Sequence, residues 1–465
     1  MGRNAGVEEG VVLEEAAVGA LRERLRGEVV GSGDEGYDGA RAVWNGLIDR
    51  RPALVVRVSG VGDVVEAIAF ARDQGLPVTV RGGGHNVAGT AVGEGSLVID
   101  VSGLKGVEVD AEARTARAGA GLTLGELDAA TQAHGLAAPL GVVSKTGIAG
   151  LTLGGGIGWL RRRHGLSSDN LVSVELVTAA GDVVTASEHE NADLFWALRG
   201  GGGGIGVVTA FEYRLYPVGP EVMLCFVLYP LARAEAVLRA VDGHLAADEA
   251  LSPVGVLGHV PAIEEFPEHV HGQPFVAVLA VHPGNIGEGE AAVAPLRALG
   301  EPLADLSGPM PYVDAQRVLD ADYPDGGRYY WKSIALDSLD AEAIEVLSRW
   351  TVAAPSGHST VDVWFHGGAM NRVGAEETAF GPRPPYLIGV EANWEGGDDE
   401  AHVAWARETV ADLARFSSGG SYLNFPGFYE DGDALLRDSL GERNFARLQS
   451  IRKEYDPANR FARPE

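Results

Sequence analysis

A single cysteine, Cys225, stands in this chain of 465 residues. No internal disulfide and no Cys-rich zinc module can be built from it. Lysine is almost as scarce, with only Lys105, Lys145, Lys332 and Lys453. No apolar run approaches the ~18 residues of a spanning helix. The N-terminal stretch lacks a basic start followed by an apolar core, the pattern of a secretory signal. Together these predict a cytoplasmic protein without a membrane partner. Positive charge is also short: 37 Lys and Arg face 65 Asp and Glu, a net charge of −28. Nucleic acid and anionic lipid surfaces need a basic face, so both are excluded as partners. An acidic, lysine-poor surface fits a protein soluble in high salt, and a GC-rich coding sequence explains the same composition. H-E-x-x-H, a Walker-type G-x-x-x-x-G-K-[ST] and a G-x-S-x-G nucleophile elbow are all absent.

What the chain has is glycine, 65 residues of it, about twice the usual share of roughly 7%. No G-X-Y period is present, so collagen is excluded. The glycines cluster, which points to backbone packed against something bulky. Around them the pattern predicts a helix over 11–26, a loop over 31–39, and β-rich runs alternating with helical ones from Ala53 to Pro217. The segment 171–187 reads as a hairpin turning at Ala180–Gly181–Asp182. Beyond Pro217 the texture changes. Strands are predicted near 222–230, 275–282, 328–336, 359–366 and 386–394, with helices over 231–247 and 340–353. This is the pattern of an α+β unit on an antiparallel sheet. A charged helix over 434–455 and DPANRF (456–461) end the chain.

Three glycine segments need explaining. Arg81-Gly82-Gly83-Gly84-His85-Asn86 directly follows a strand. Its backbone N–H groups could converge on an anion, with Arg81 adding charge; a tight turn with a surface histidine explains the same hexapeptide. Gly147, Gly150, Gly154 and Gly158 recur at helical spacing, either to let a flat ring lie on backbone or for close helix packing. Gly201, Gly203 and Gly206 satisfy G-x-G-x-x-G, but a helix precedes them and a strand follows. That context is inverted, which excludes a Rossmann nicotinamide site. His269-Val270-His271 reads as a solvated loop rather than a metal ligand pair, and no metal site is predicted. Cys225, among Leu224, Phe226 and Val227, reads as an inert core thiol.

RGGGHN, the glycine stripe, GLSSDN (165–170), the glycine run before GVVT and the tail YDPANRF occur in one order. In that order they resemble the FAD-linked oxidases of the vanillyl-alcohol-oxidase (PCMH) type, in the berberine-bridge-like branch, over Tyr37 to Phe461. The resemblance implies an α+β fold with a two-part FAD domain and an inserted substrate domain on an antiparallel sheet. The expected division is 1–37, 38–217, 218–418 and a returning tail, 419–465. FAD would be bonded covalently through His85. Bicovalent relatives carry a cysteine where this chain has Val143, so a single bond is expected. Thr146 matches a position facing the flavin edge. Besides the hexapeptide and the stripe, the resemblance places Gly89, Leu151, Gly155, Gly165, Asn170, Val208, Asn424 and Asn459 at the cofactor.

A flavin oxidase needs the donor C–H oriented and a base for its O–H or N–H proton. In Ser359 to His366, read as a strand, Asp362, Trp364 and His366 share one face, turned to a cavity or to solvent. Tyr422-Leu423-Asn424 matches the Y-x-N element of the branch, in which the tyrosine acts as base; a packing role is the alternative. A tyrosine needs a neighbour that lowers its ordinary value near 10 to work at neutral pH. The expected activity is oxidation of a small alcohol, sugar or heterocyclic amine with molecular oxygen, giving hydrogen peroxide. A dehydrogenase with another acceptor and a flavin-free binding protein are the alternatives. Monomer and homodimer are left open.

Overall fold

Three large sheets, a two-stranded ribbon of Leu136–Ala137 and Tyr216–Pro217, and the helices between them divide the work of holding the site. The computed structural model describes residues 13–246 and 248–461. The first sheet orders Glu28–Gly31, Leu54–Arg57, Leu97–Asp100 and Val78–Arg81, the last three parallel. Helix Val61–Gln74 makes the crossover from Leu54–Arg57 to Val78–Arg81, parallel strands that flank Leu97–Asp100. It buries Val64, Ala67, Ile68 and Ala71 at helical spacing and ends at Gly75. The second sheet is antiparallel: Val107–Asp110, Thr115–Gly119, Gly206–Arg214, Leu171–Thr178 and Val183–Ser187. Helix Leu124–Gln132 starts at a Thr123–Glu126 capping box.

The third sheet is the largest. Its main path runs Ala304–Asp305, Glu221–Pro230, Pro274–His282, Val254–His259, Thr360–Phe365, Tyr386–Trp394 and Arg328–Leu336, all antiparallel. Met223, Cys225, Val227, Val361, Val363 and Phe365 face one way, into a core shared with helices Ala234–Leu245, Ile286–Arg297, Ala341–Val352 and Asp399–Leu413. The opposite face of the sheet is therefore free to wall a cavity. The architecture is α+β.

The tail does not stay with this third sheet. Leu435, Leu440, Phe445, Leu448, Ile451 and Phe461 lie in the core of the first two sheets. The Val78 N–H donates to Arg460 O at 2.8 Å. Arg452 donates to the carbonyls of Gly201 and Gly203.

Several elements differ from the sequence pattern. The N-terminal helix runs Glu15–Arg24, with residues 11 and 12 outside the described range. The single helix expected over 434–455 is two, Gly432–Leu440 and Glu442–Tyr455. Gly441 between them has φ of 77°, a left-handed value that ends the first helix. The glycine stripe is helical only over Ile148–Leu153. The His269-Val270-His271 segment is a short 3-10 turn, and no metal-ligating cluster exists among the described residues. Nor, among those residues, is any helix long and apolar enough to cross a membrane.

Candidate active site

Between the glycine loops and the free face of the large sheet lies a cavity of about 820 Å³. That is at the upper end of the ~300–1,000 Å³ typical of small-molecule sites. Its floor is backbone. Gly82, Gly83, Gly84, Asn86, Thr146, Gly147, Gly150, Leu151, Gly154 and Val208 line it. The closeness of the loops explains the glycines. A Cβ on Gly83 would stand 2.5 Å from Gly147 N, and one on Gly147 would stand 2.4 Å from Gly83 N. A Cβ on Gly154 would strike the Asn424 side chain at 2.1 Å. The run Gly202, Gly203 and Gly204, left without a role by the sequence pattern, lines the same floor.

His85 is set into this floor. Its ring stacks on Trp44 at 4.3 Å and 15°, and Trp44 stacks in turn on Tyr329 at 3.8 Å and 9°. Trp44 Nε1 donates to Tyr323 O, and Asn45 Nδ2 donates to Val87 O and Tyr329 O. These bonds tie the His85 loop to the large sheet. Burial lowers the His85 pKa to about 4, so the imidazole is neutral. Its Nε2 is buried and makes no hydrogen bond. An orphaned ring nitrogen in a glycine-lined cavity fits covalent attachment to a flat ring.

The roof is built of side chains. Asp362 and Trp364 lie on a central strand, hydrogen-bonded on both sides. Val361, Val363 and Phe365 take the opposite, helix-covered face. Asp362 pairs with Gly389, which puts Glu391 two residues out of register on the same face. Trp331 sits directly opposite Glu391 on the next strand. Tyr323 donates its O–H to Glu391 Oε2 at 2.8 Å. Burial raises the Asp362 carboxyl to about 7, with Asp322 adding to the rise, and burial together with the Asp362 and Asp322 charges pushes Glu391 well above the carboxylate range.

Tyr422 completes the wall. Its oxygen accepts from Ile157 N at 3.2 Å and from Asn424 Nδ2 at 2.8 Å. Tyr422 and Asn424 therefore point the same way. Burial nonetheless raises the Tyr422 pKa, against the lowering by Asn424 and the Ile157 and Gly156 N–H groups.

Other expected residues lie off the cavity. His366 stands beyond the end of its strand, its Nδ1 on Pro384 O at 2.8 Å, and burial lowers its pKa to about 3. Its carbonyl accepts from Arg162. Arg81 donates to Ala40 O. Gly89 makes room for Ile48, and Gly155 for Phe380. Gly158 lies against Leu140 O and Gly165 against Asp169. Asn170 bonds His164 O and Leu166 O, and Asn459 sits at positive φ in the final turn. These residues shape the loops that carry the lining rather than the lining itself. Val143 does line the cavity, packed with Trp44 and Tyr329. Cys225 is buried on the helix-covered face, and burial pushes its thiol up to about 12. Trp44, Tyr323, Tyr329, Trp331 and Phe425 are site residues that the motifs did not single out, whereas period two along Tyr386–Trp394 already set Glu391 and Asn393 on one side. The aromatic-rich Tyr329-Tyr330-Trp331 run is the one local signal for them.

Residues 52–187 match the family model of an FAD binding domain. Over 460 residues the chain is 31% identical to (R)-6-hydroxynicotine oxidase of Paenarthrobacter nicotinovorans, covering 94% of this chain and 95% of that one. It belongs to the FAD-linked oxidases of the berberine-bridge-like branch. The crystal structure of 6-hydroxy-D-nicotine oxidase from Arthrobacter nicotinovorans superposes with a TM-score of 0.83 at 30% identity, covering 95% and 97% of the two chains. A berberine-bridge-like protein of the moss Physcomitrella patens gives a TM-score of 0.83 at 25% identity, covering 97% and 98%. This FAD-linked oxidoreductase thus shares the whole fold of its branch.

Proposed function

We propose that this protein is an FAD-dependent oxidase of a small molecule carrying a CH–OH or CH–N carbon, with FAD bonded once, through His85. FAD, when bound, supplies the hydride acceptor and passes the electrons to molecular oxygen, giving hydrogen peroxide. The unpartnered, buried His85 Nε2 in a glycine-lined cavity carries this reading. Residues 38–217 and 419–465 form the FAD unit, 218–418 the substrate unit and 1–37 an N-terminal segment; the tail's place in the first core supports that division.

In this reading, the crossed glycine loops offer backbone N–H groups to the pyrophosphate, since among the described lining residues none is lysine or arginine. Thr146, lining the cavity with His85, would border the ring. The Trp44–Tyr329 stack fixes the imidazole plane. Tyr422 takes the substrate O–H or N–H proton, the two donors on its oxygen offsetting part of the burial penalty. Asp362, at about 7, is the second candidate for that proton. His366 has no place in this chemistry because it lies off the cavity.

Acid precipitation of the purified protein tests the bond. A yellow, fluorescent pellet is expected, and a colourless one over a yellow supernatant overturns the covalent link. A protein purified without flavin overturns the function. Peroxide release from a panel of alcohols, sugars and cyclic amines then identifies the donor.

A further inference from the structure

The roof gathers carboxyl groups, and the basic side chains beside them among the described lining residues are His259 and His358, of which His358 lowers the Asp322 carboxyl against its burial. Glu265, Asp322, Asp362, Glu391 and Glu395 all line the cavity. Among the described lining residues there is no lysine or arginine, and neither Asp362 nor Glu391 takes part in any ion pair. Asp362 is 4% exposed and its Oδ1 makes no hydrogen bond. Glu391 is 2% exposed and receives only the Tyr323 hydroxyl. Ionised carboxylates buried without a counter-ion are strongly disfavoured, so such groups hold a proton or meet a cation. The surroundings suit a cation with an apolar body. Trp331 meets Tyr323 at 5.2 Å and Phe425 at 5.3 Å, both edge to face. Aromatic faces beside carboxylates attract ammonium groups through the ring quadrupole. An anionic substrate would meet no lysine or arginine among the described lining residues and would be repelled by the acids.

We propose that Asp362 and Glu391, with Asp322 open to the same space, select a substrate bearing a protonated nitrogen on an apolar or aromatic body. This rests on the oxidase reading of the cavity and narrows its donor from CH–OH or CH–N to CH–N. Binding turns one of the two acids into carboxylate. The proton that leaves that acid goes to solvent, and the ammonium group takes its place as the compensating charge. Glu265 and Glu395, exposed along the lining, and the net charge of −28 draw cations toward the cavity.

The test uses flavin-loaded protein without oxygen, so that binding is read from the flavin spectrum. N-methylbenzylamine, a cation at neutral pH, is titrated against benzyl methyl ether, its neutral counterpart, and benzoate. The amine is expected to bind about tenfold or more tighter than the ether, with no binding of benzoate. In Glu391→Gln combined with Asp362→Asn, the amine-to-ether ratio should fall to about threefold or less, with flavin retained. Equal binding of amine and ether overturns the proposal. So does preferred binding of benzoate, a preference that survives the double variant, or no saturable response to the amine. Should the double variant lose its fold, proton release on adding the amine to wild-type protein at pH 6 decides. About one proton per site is expected, and none overturns the proposal. Protein without flavin would sink the oxidase reading, whereas flavin with no cation preference sinks only this inference.

Discussion

The floor and the roof of one cavity are made of different materials. The floor is backbone: Gly83 and Gly147 approach so closely that neither tolerates a Cβ, and no charged side chain enters it. The roof is side chains, acids set among aromatic rings on the face of a sheet whose other face is a core. A backbone surface can serve the same large cofactor whatever the substrate. A side-chain surface can be rewritten residue by residue without disturbing the strands that carry it. The contrast explains how a branch can share its FAD chemistry while its members differ in substrate.

Breaking the floor should have the largest effect. His85→Ala removes the buried, unpartnered imidazole nitrogen that the glycine loops present. Acid-stable flavin should fall from nearly complete to undetectable, read as the mass of the denatured protein with and without the added flavin. Persistence of the flavin mass in His85→Ala would place the bond elsewhere. On the wall joining the two halves, Tyr422→Phe keeps the ring packing and removes the hydroxyl. Flavin reduction by an identified substrate should slow by about 10²- to 10⁴-fold with flavin content unchanged. Reduction at the wild-type rate would pass the proton to Asp362.

The same division governs what was legible in the sequence. RGGGHN, the stripe and the Y-x-N element each lie within a few residues, because a close backbone approach is a local requirement that only glycine meets. Asp362 and Trp364 were readable from period two alone. Their central place in the sheet was not, because the flanking strand Val254–His259 gave no clear signal. His366 fell off the same face because the strand ends at Phe365, where its carbonyl turns to Arg161. Glu391 and Trp331 become neighbours only through strand register, and Trp44 reaches His85 only through the loop packing. The glycines at 155, 158 and 165 share the composition of the floor but serve the folding of its loops. Composition could not separate the two uses.

A smaller effect sharpens the roof. Asp362 has a folded value of about 7 against an ordinary 3.8, raised by burial. Between those values the folded chain holds a proton that the unfolded chain has released. Stability therefore falls as pH rises from about 4 to about 7, and the loss persists above it. Asp362→Asn cannot ionise. It should exceed wild type by about 1–3 kcal/mol at pH 8 and by little at pH 4. Thermal melts across that range read the difference. Glu391 shifts in the same direction, so part of the wild-type slope should remain in the variant. Parallel curves for the two proteins would mean that Asp362 is ionised and compensated.

Salt separates the outer surface from the roof, with the smallest effect of all. The net charge of −28 repels itself at low ionic strength, and most acids that carry it are exposed. At 1 M salt the screening length is about 3 Å, so this repulsion is relieved and Tm should rise by a few degrees. The buried acids Asp362 and Glu391 lie where mobile ions do not reach, and screening acts weakly on them. The pH step described for Asp362→Asn should therefore keep its position and size in molar salt while the whole curve moves up. A Tm that stays flat with salt would assign the acidic composition to coding bias. A pH step that vanishes in salt would mean that ions enter the roof, and the dry, uncompensated acid pair on which the cation preference depends would no longer stand.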